Sequence, residues 1–122
     1  DPAKWQSYYG SIPCWVFSHK TLPAIPGAAL HFVSGDVASA HASMVEAAKG
    51  KNIWIAGGGE LVGQFADAGL LDELILAYAP VMLGDGAPLL PRRITSERLK
   101  LVSAEKRGPF LHATYTIGPG KP

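Results

Sequence analysis

The chain has 122 residues, 48% of them apolar and 17% charged, and its 11 Lys and Arg against 10 Asp and Glu give a formal net charge of +1. That length fits one small domain, the apolar share excludes a disordered chain, and the charge balance gives no footing for nucleic acid or an anionic membrane surface. The single cysteine, Cys14, excludes an internal disulfide and a multi-cysteine metal site and reads as a small buried hydrophobe of a reducing compartment, while no apolar stretch reaches the roughly eighteen residues of a membrane span.

Residues 1–12 carry Trp5, Tyr8 and Tyr9 without a clear period, and the sequence opens at Asp1-Pro2 without a signal-peptide pattern. Pro13 then precedes Cys14-Trp15-Val16-Phe17, a continuous apolar run that predicts a strand buried on both faces. Pro23, Pro26 and Gly27 make residues 18–28 a loop. Leu30-His31-Phe32-Val33 predicts a second strand, punctuated by Ser34-Gly35-Asp36, with Asp36 a good N-cap for a following helix. Val37, Ala40, His41, Met44 and Ala48 form the stripe of a half-buried helix. Lys49 suits its last turn and Gly50 its C-terminal cap.

Residues 52–56 (NIWIA) predict a third buried strand. Gly57-Gly58-Gly59 turns the chain, and Glu60 opens a second helix through Leu61, Phe65 and Ala68, stopped at Gly69. Residues 74–79 predict a fourth strand, ended by Pro80. Gly84-Asp85-Gly86, Pro88 and Pro91 mark a turn-rich loop. Two last strands are expected near 99–104 and 110–117, joined at Gly108-Pro109 as a hairpin. Alternating strands and helices with continuous apolar strands predict an α/β sheet covered on both faces, with an antiparallel C-terminal edge. Trp15 and Trp54 are expected in its core.

The strongest local signal for chemistry is NIWIAGGGELVGQF, residues 52–65. A strand there delivers glycines to a helix start, where backbone N–H groups can approach an anion without obstruction from a Cβ. The alternative is a tight strand-to-helix turn. It is neither a Rossmann fingerprint, since Val62 stands where a third spaced glycine belongs, nor a P-loop, since no Gly-Lys-Ser/Thr follows. Glu60 would repel a phosphate, so its side chain is expected to point away. Ser18-His19-Lys20 ends the first predicted strand with a hydroxyl, an imidazole and an ammonium that could hold a phosphate; the alternative is a solvated loop. Ser34-Gly35-Asp36 ends the second, and three such strand ends make one rim. The histidines, His19, His31, His41 and His112, show no metal-binding spacing, so no metal is expected. There is no Gly-x-Ser-x-Gly elbow, and Asp72-Glu73 reads as a solvated turn.

VFSHK, HFVSGD, NIWIAGGGELVGQF, AGLLDEL and PVMLGDGAPLL, in this order from about residue 13 to 117, resemble the dihydrofolate reductase-like family, in particular the reductase domain of bacterial riboflavin biosynthesis and its stand-alone relatives. The resemblance implies one α/β domain over residues 1–122: a mixed, mostly parallel sheet with an antiparallel C-terminal hairpin and helices on both faces. It implies NADPH as hydride donor. Ser18, His19 and Lys20 would meet the 2′-phosphate, and Ser34, Gly35 and Asp36 would lie beside the adenine and ribose. Gly57, Gly58, Gly59, Glu60 and Leu61 would form the pyrophosphate loop, where the family often places a non-proline cis peptide between two glycines. Gln64 would approach the adenine end. Glu60 stands where dihydrofolate reductases commonly carry arginine, which favours the riboflavin-type branch.

Family members open with a strand bearing a Ser-x-Asp-Gly-like segment, a helix and a Gly-Arg-x-Thr-like segment. These wall the nicotinamide and substrate end of the cleft. No such segment stands before Trp5, so no catalytic residue is assigned. The chain as written is expected to bind cofactor weakly and without turnover, and a native N-terminal extension to restore both; activity without it would direct attention to His112 and Asp85.

The resulting expectation is a cytoplasmic NADPH-dependent reductase of a small heterocycle or an imine or carbonyl carbon, of pterin or riboflavin-precursor type. The alternatives are a non-catalytic nucleotide-binding or dimerisation module of the same fold, and an enzyme using NADH or flavin. A homodimer is expected, because Val81, Met82, Leu83, Leu89 and Leu90 cluster in a segment resembling one that often pairs subunits.

Overall fold

A computed structural model describes residues 2–18, 23 and 26–118. Two compact units divide the chain, Asp1–Trp54 and Ile55–Pro122.

The first unit holds helix α1 (Pro2–Tyr9), strands β1 (Cys14–Phe17) and β2 (Leu30–Val33), and helix α2 (Val37–Ala48). Helix α1 corrects the reading of residues 1–12 as aperiodic: Trp5, Tyr8 and Tyr9 stand at i, i+3 and i+4, and the helix ends are signposted. Pro2 occupies the first helical position, where a missing N–H costs nothing, and Gly10 follows the helix at φ 57°. β1 and β2 pair in parallel, Cys14 opposite Leu30 and Phe17 opposite Val33. Every residue of β1 is half-buried rather than buried on both faces, and Cys14 with it. A two-stranded ribbon has no interior strand, which is why the continuous apolar run overstates burial. What burial there is pushes the Cys14 thiol up from its ordinary pKa. Across the ribbon Trp15 stacks on His31, ring centres 4.7 Å apart and planes 19° from parallel.

α2 follows its sequence closely. The Asp36 carboxylate accepts from the Ala38 N–H at 3.0 Å, capping the helix. Val37, Ala40 and Met44 of the predicted stripe are buried, and His41 and Ala48 half-buried. The helix ends with Lys49 and Gly50 both at positive φ.

The second unit holds α3 (Gly59–Asp67) and strands β3 (Glu73–Tyr78), β4 (Leu99–Arg107) and β5 (Phe110–Ile117) in the order β3-β5-β4, antiparallel throughout. α3 stops in a Schellman motif: the Leu70 N–H donates to the Phe65 carbonyl at 2.9 Å and the Gly69 N–H to that of Ala66 at 3.0 Å, with Gly69 at φ 71°. The two-residue Gly108-Pro109 connection joins β4 to β5, Gly108 at φ 59°. The β4 register shifts between Leu101 and Ser103, a bulge at Val102. Phe65 is 1% exposed and Ala113 3%, the buried hydrophobics of this unit among the described residues.

The expected single, mostly parallel sheet is therefore corrected. Among the described residues the parallel pairing is confined to β1-β2, and the larger sheet is antiparallel. Residues 52–56 form no ladder. They alternate instead, Ile53 and Ile55 half-buried, Trp54 78% exposed and Ala56 exposed. Trp54 is thus a surface residue, and Trp15 is only half-buried. The C-terminal antiparallel hairpin is as expected.

Candidate functional site

The pieces of the predicted site lie in both units, and each has its own local geometry. In the first, the Ser18 N–H donates to the Val33 carbonyl at 2.9 Å, carrying the parallel pairing one residue past β1. This sets Ser18 beside Ser34 at the shared carboxyl end of the ribbon. Gly35 sits at φ +104°, a conformation that side chains rarely adopt. Asp36 spends its carboxylate on the α2 cap, so its hydrogen bonding is local. His19 and Lys20 lie outside the described residues.

In the second unit the glycine turn enters α3. The Gly57-Gly58 peptide is cis, as the resemblance implies, and Gly57 takes φ +133°. Among the described residues, and apart from the chain neighbours, no atom stands within 4 Å of where a Cβ would project from Gly57 or Gly58. Gly58 is the N-cap of α3 and offers no side chain. Its carbonyl accepts the first helical bond, from Val62 at 3.1 Å. The N–H groups of Gly59, Glu60 and Leu61 therefore head the helix without a partner inside it. An open backbone surface followed by three such donors suits a phosphate group, and the residues present fit a dinucleotide pyrophosphate.

Gly59 has a different task. A Cβ there would collide with the Leu89 carbonyl oxygen, and Pro91 Cδ would stand 3.2 Å from it. This glycine admits the 89–91 segment against the helix. Reading the three glycines as one loop does not separate these roles.

Glu60 points away from the turn, as its charge requires. Its two carboxylate oxygens accept from Arg92 Nη1 and Nη2, each at 3.0 Å. Arg92 Nε also donates to Asp67 Oδ2 at 2.8 Å, and Nη1 to the Pro91 carbonyl at 2.8 Å. The Arg92 hydrogen bonds hold the Glu60 carboxyl below its ordinary pKa, and Glu60 with Asp67 raises that of the guanidinium. Gln64, exposed one turn on, also hydrogen-bonds Glu60.

Sequence reasoning missed Arg92. Its partners are 25 and 32 residues away, beyond any local pattern. A signal existed in the partners: Glu60 and Asp67 lie on the same helix face with Gly63 between them, two acids and a gap that call for a cation. A cleft of about 320 Å³ lies at the opposite end of α3 from the glycine turn, lined by Ala66, Asp67, Gly69, Arg92, Arg93, Ile94 and Arg98. It holds none of the predicted site residues. Among the described residues no cluster of His, Cys, Asp and Glu could hold a metal, and no helix is long and apolar enough to cross a membrane.

The sequence profile of the RibD C-terminal domain matches residues 10–113. The Bacillus subtilis protein YwjB, itself uncharacterized, is 37% identical over 78 residues, 64% of this chain and 45% of its own length. The riboflavin biosynthesis protein RibD of Haemophilus influenzae is 36% identical over 70 residues, 52% of this chain and 19% of its own. The chain thus spans less than half the length of these curated relatives. A crystal structure of a candidate riboflavin biosynthesis protein from Shewanella sp. PV-4 superposes with a TM-score of 0.68 over 88% of this chain and 61% of its own, at 24% identity; that likeness concerns the fold.

Proposed function

The chain belongs to the RibD C-terminal domain family, and from that footing we propose that it is the cofactor-holding part of an NADPH-dependent reductase acting on a small heterocycle or an imine or carbonyl carbon of riboflavin-precursor type. The observation that carries this reading is the uncovered Gly57-Gly58 backbone leading into the uncapped start of α3. NADPH supplies the hydride; the chain's own residues bind and orient it. The N–H groups of Gly59, Glu60 and Leu61 take the pyrophosphate, and Gln64 lies along the same helix toward the adenine. Ser18, Ser34, Gly35 and Asp36 border the adenosine, with His19 and Lys20 at the 2′-phosphate. Family membership and the order of these segments along the chain support these assignments.

Cofactor choice tests the reading. His19 and Lys20 offset the charge of a 2′-phosphate, so NADPH binds about tenfold more tightly than NADH, and Lys20→Ala removes most of the difference. Fluorescence titration of both cofactors against both proteins measures it. Equal affinities in the parent overturn the assignment of the Ser18-His19-Lys20 turn.

The protein is further proposed to work as a cytoplasmic homodimer. Met82 is 100% exposed and Leu83 80%, with Val81 and Leu89 also open to solvent and Leu90 half-buried, an apolar segment of the kind that association covers. Light scattering over a dilution series returns a dimer for the parent and a monomer for Met82→Asp. A parent that is monomeric at high micromolar concentration refutes the pairing.

A further inference from the structure

Glu60, Gly63 and Asp67 stand at i, i+3 and i+7 on α3, in one line along one face. Arg92 lies in that line. Its fork grips both oxygens of Glu60 at 3.0 Å, and its Nε reaches Asp67 at 2.8 Å. Gly63 makes the trough: a Cβ there would stand 2.8 Å from the guanidinium carbon and 3.0 Å from Nη1. Arg92 is only 24% exposed, although its two acidic partners are mostly open to water.

This arrangement settles a conflict at the helix start. A carboxylate in the first turn complements the helix dipole, but Glu60 is also the second residue after Gly58. Left to itself it can turn toward the N–H groups at its own helix start, and its charge opposes any phosphate there. The Arg92 fork, shared with Asp67, offsets part of that charge and fixes the carboxylate on the flank of the helix, in the planar two-point geometry that guanidinium and carboxylate share.

We propose that Arg92 is a positioning residue for the dinucleotide: seated in the Gly63 trough, it holds Glu60 off the helix start and keeps the glycine turn receptive to pyrophosphate. This rests on the cofactor reading of Gly57 to Leu61 given above. Arg92 also ties the 89–92 segment to the helix, so a purely structural latch is the competing role. The two differ in what Glu60 does once the arginine is gone. If Arg92 acts through charge, removing the Glu60 carboxylate repairs its loss; if it acts as a latch, it does not.

The experiment is a titration of NADPH into the parent, Arg92→Ala and the Arg92→Ala/Glu60→Gln double variant, with thermal melts of all three. Arg92→Ala weakens NADPH about tenfold. The double variant recovers most of that affinity while its melting temperature stays as low as that of Arg92→Ala, since neither retains the latch. A double variant that binds as weakly as Arg92→Ala overturns the proposal, and so does an Arg92→Ala that binds like the parent. Should Arg92→Ala fail to fold, Gly63→Ala pushes the guanidinium out of the trough without deleting it and gives the same loss and the same rescue by Glu60→Gln; absence of either refutes the proposal. A parent that shows no saturable NADPH binding refutes the cofactor reading itself, an outcome distinct from a parent that binds while Arg92 is irrelevant.

Discussion

Gly58→Val gives a folded protein that has lost NADPH, its affinity down about a hundredfold or more, the equivalent of losing roughly two charge-assisted hydrogen bonds. The backbone at Gly58 lies at φ −77°, ψ −170°, an extended conformation open to any residue, and among the described residues nothing beyond its chain neighbours stands within 4 Å of a Cβ. A Cβ there therefore meets no obstacle among the described residues. It projects into the space that an anion needs in order to reach the helix N–H groups. Gly59→Ala behaves in the opposite way. Its Cβ meets the Leu89 carbonyl, so the 89–91 segment must shift, at a cost of about 1–3 kcal/mol in stability. Titration and thermal melts on both variants separate the roles. NADPH binding that survives in a folded Gly58→Val would reduce the turn to architecture.

Phe65→Ala is the most damaging substitution for stability. The side chain is 1% exposed, the largest fully buried group among the described residues. Truncating a buried phenylalanine costs about 3–5 kcal/mol, a large part of the 5–15 kcal/mol by which a domain is usually stable. The melting temperature falls by roughly ten degrees or more. Val45→Ala on α2, at a residue 50% exposed, is the control and moves it little. Denaturation followed by circular dichroism measures both; a loss below about 1 kcal/mol at Phe65 would contradict the burial.

Some of this was legible in the residues and some was not, for physical reasons. The α2 stripe and its Asp36 cap are local rules acting within one helix and appear as read, while Lys49, expected in the last turn, is itself the C-cap, with Gly50 following it. The C-terminal hairpin is equally local. The family likeness rests on motifs spread through the chain, and the profile match to residues 10–113 bears it out. Strand pairing is not local. A continuous apolar run at residues 52–56 records avoidance of water but not which partner is present, and the alternation of Ile53, Trp54, Ile55 and Ala56 is visible only once burial is known. Helix α1 carries Trp5, Tyr8 and Tyr9 at helical spacing and is bracketed by Pro2 and Gly10, but at eight residues its stripe is too short to stand out as a period. At the site, the turn and the helix start could be read, but the division of labour among Gly57, Gly58 and Gly59 depends on Leu89, and the fate of Glu60 on Arg92.

The β3-β5-β4 order leaves two outer strands with unequal defences. β4 carries Lys100, Glu105, Lys106 and Arg107 and is bent by its bulge, features that discourage another strand from docking. β3 reads Glu-Leu-Ile-Leu-Ala-Tyr, with Ile75 69% exposed and a single charge at its first residue. Among the described residues no strand pairs with its outer N–H and C=O groups, which form a template. A strand that joins this sheet, from this chain or from another, therefore meets less resistance along β3 than along β4.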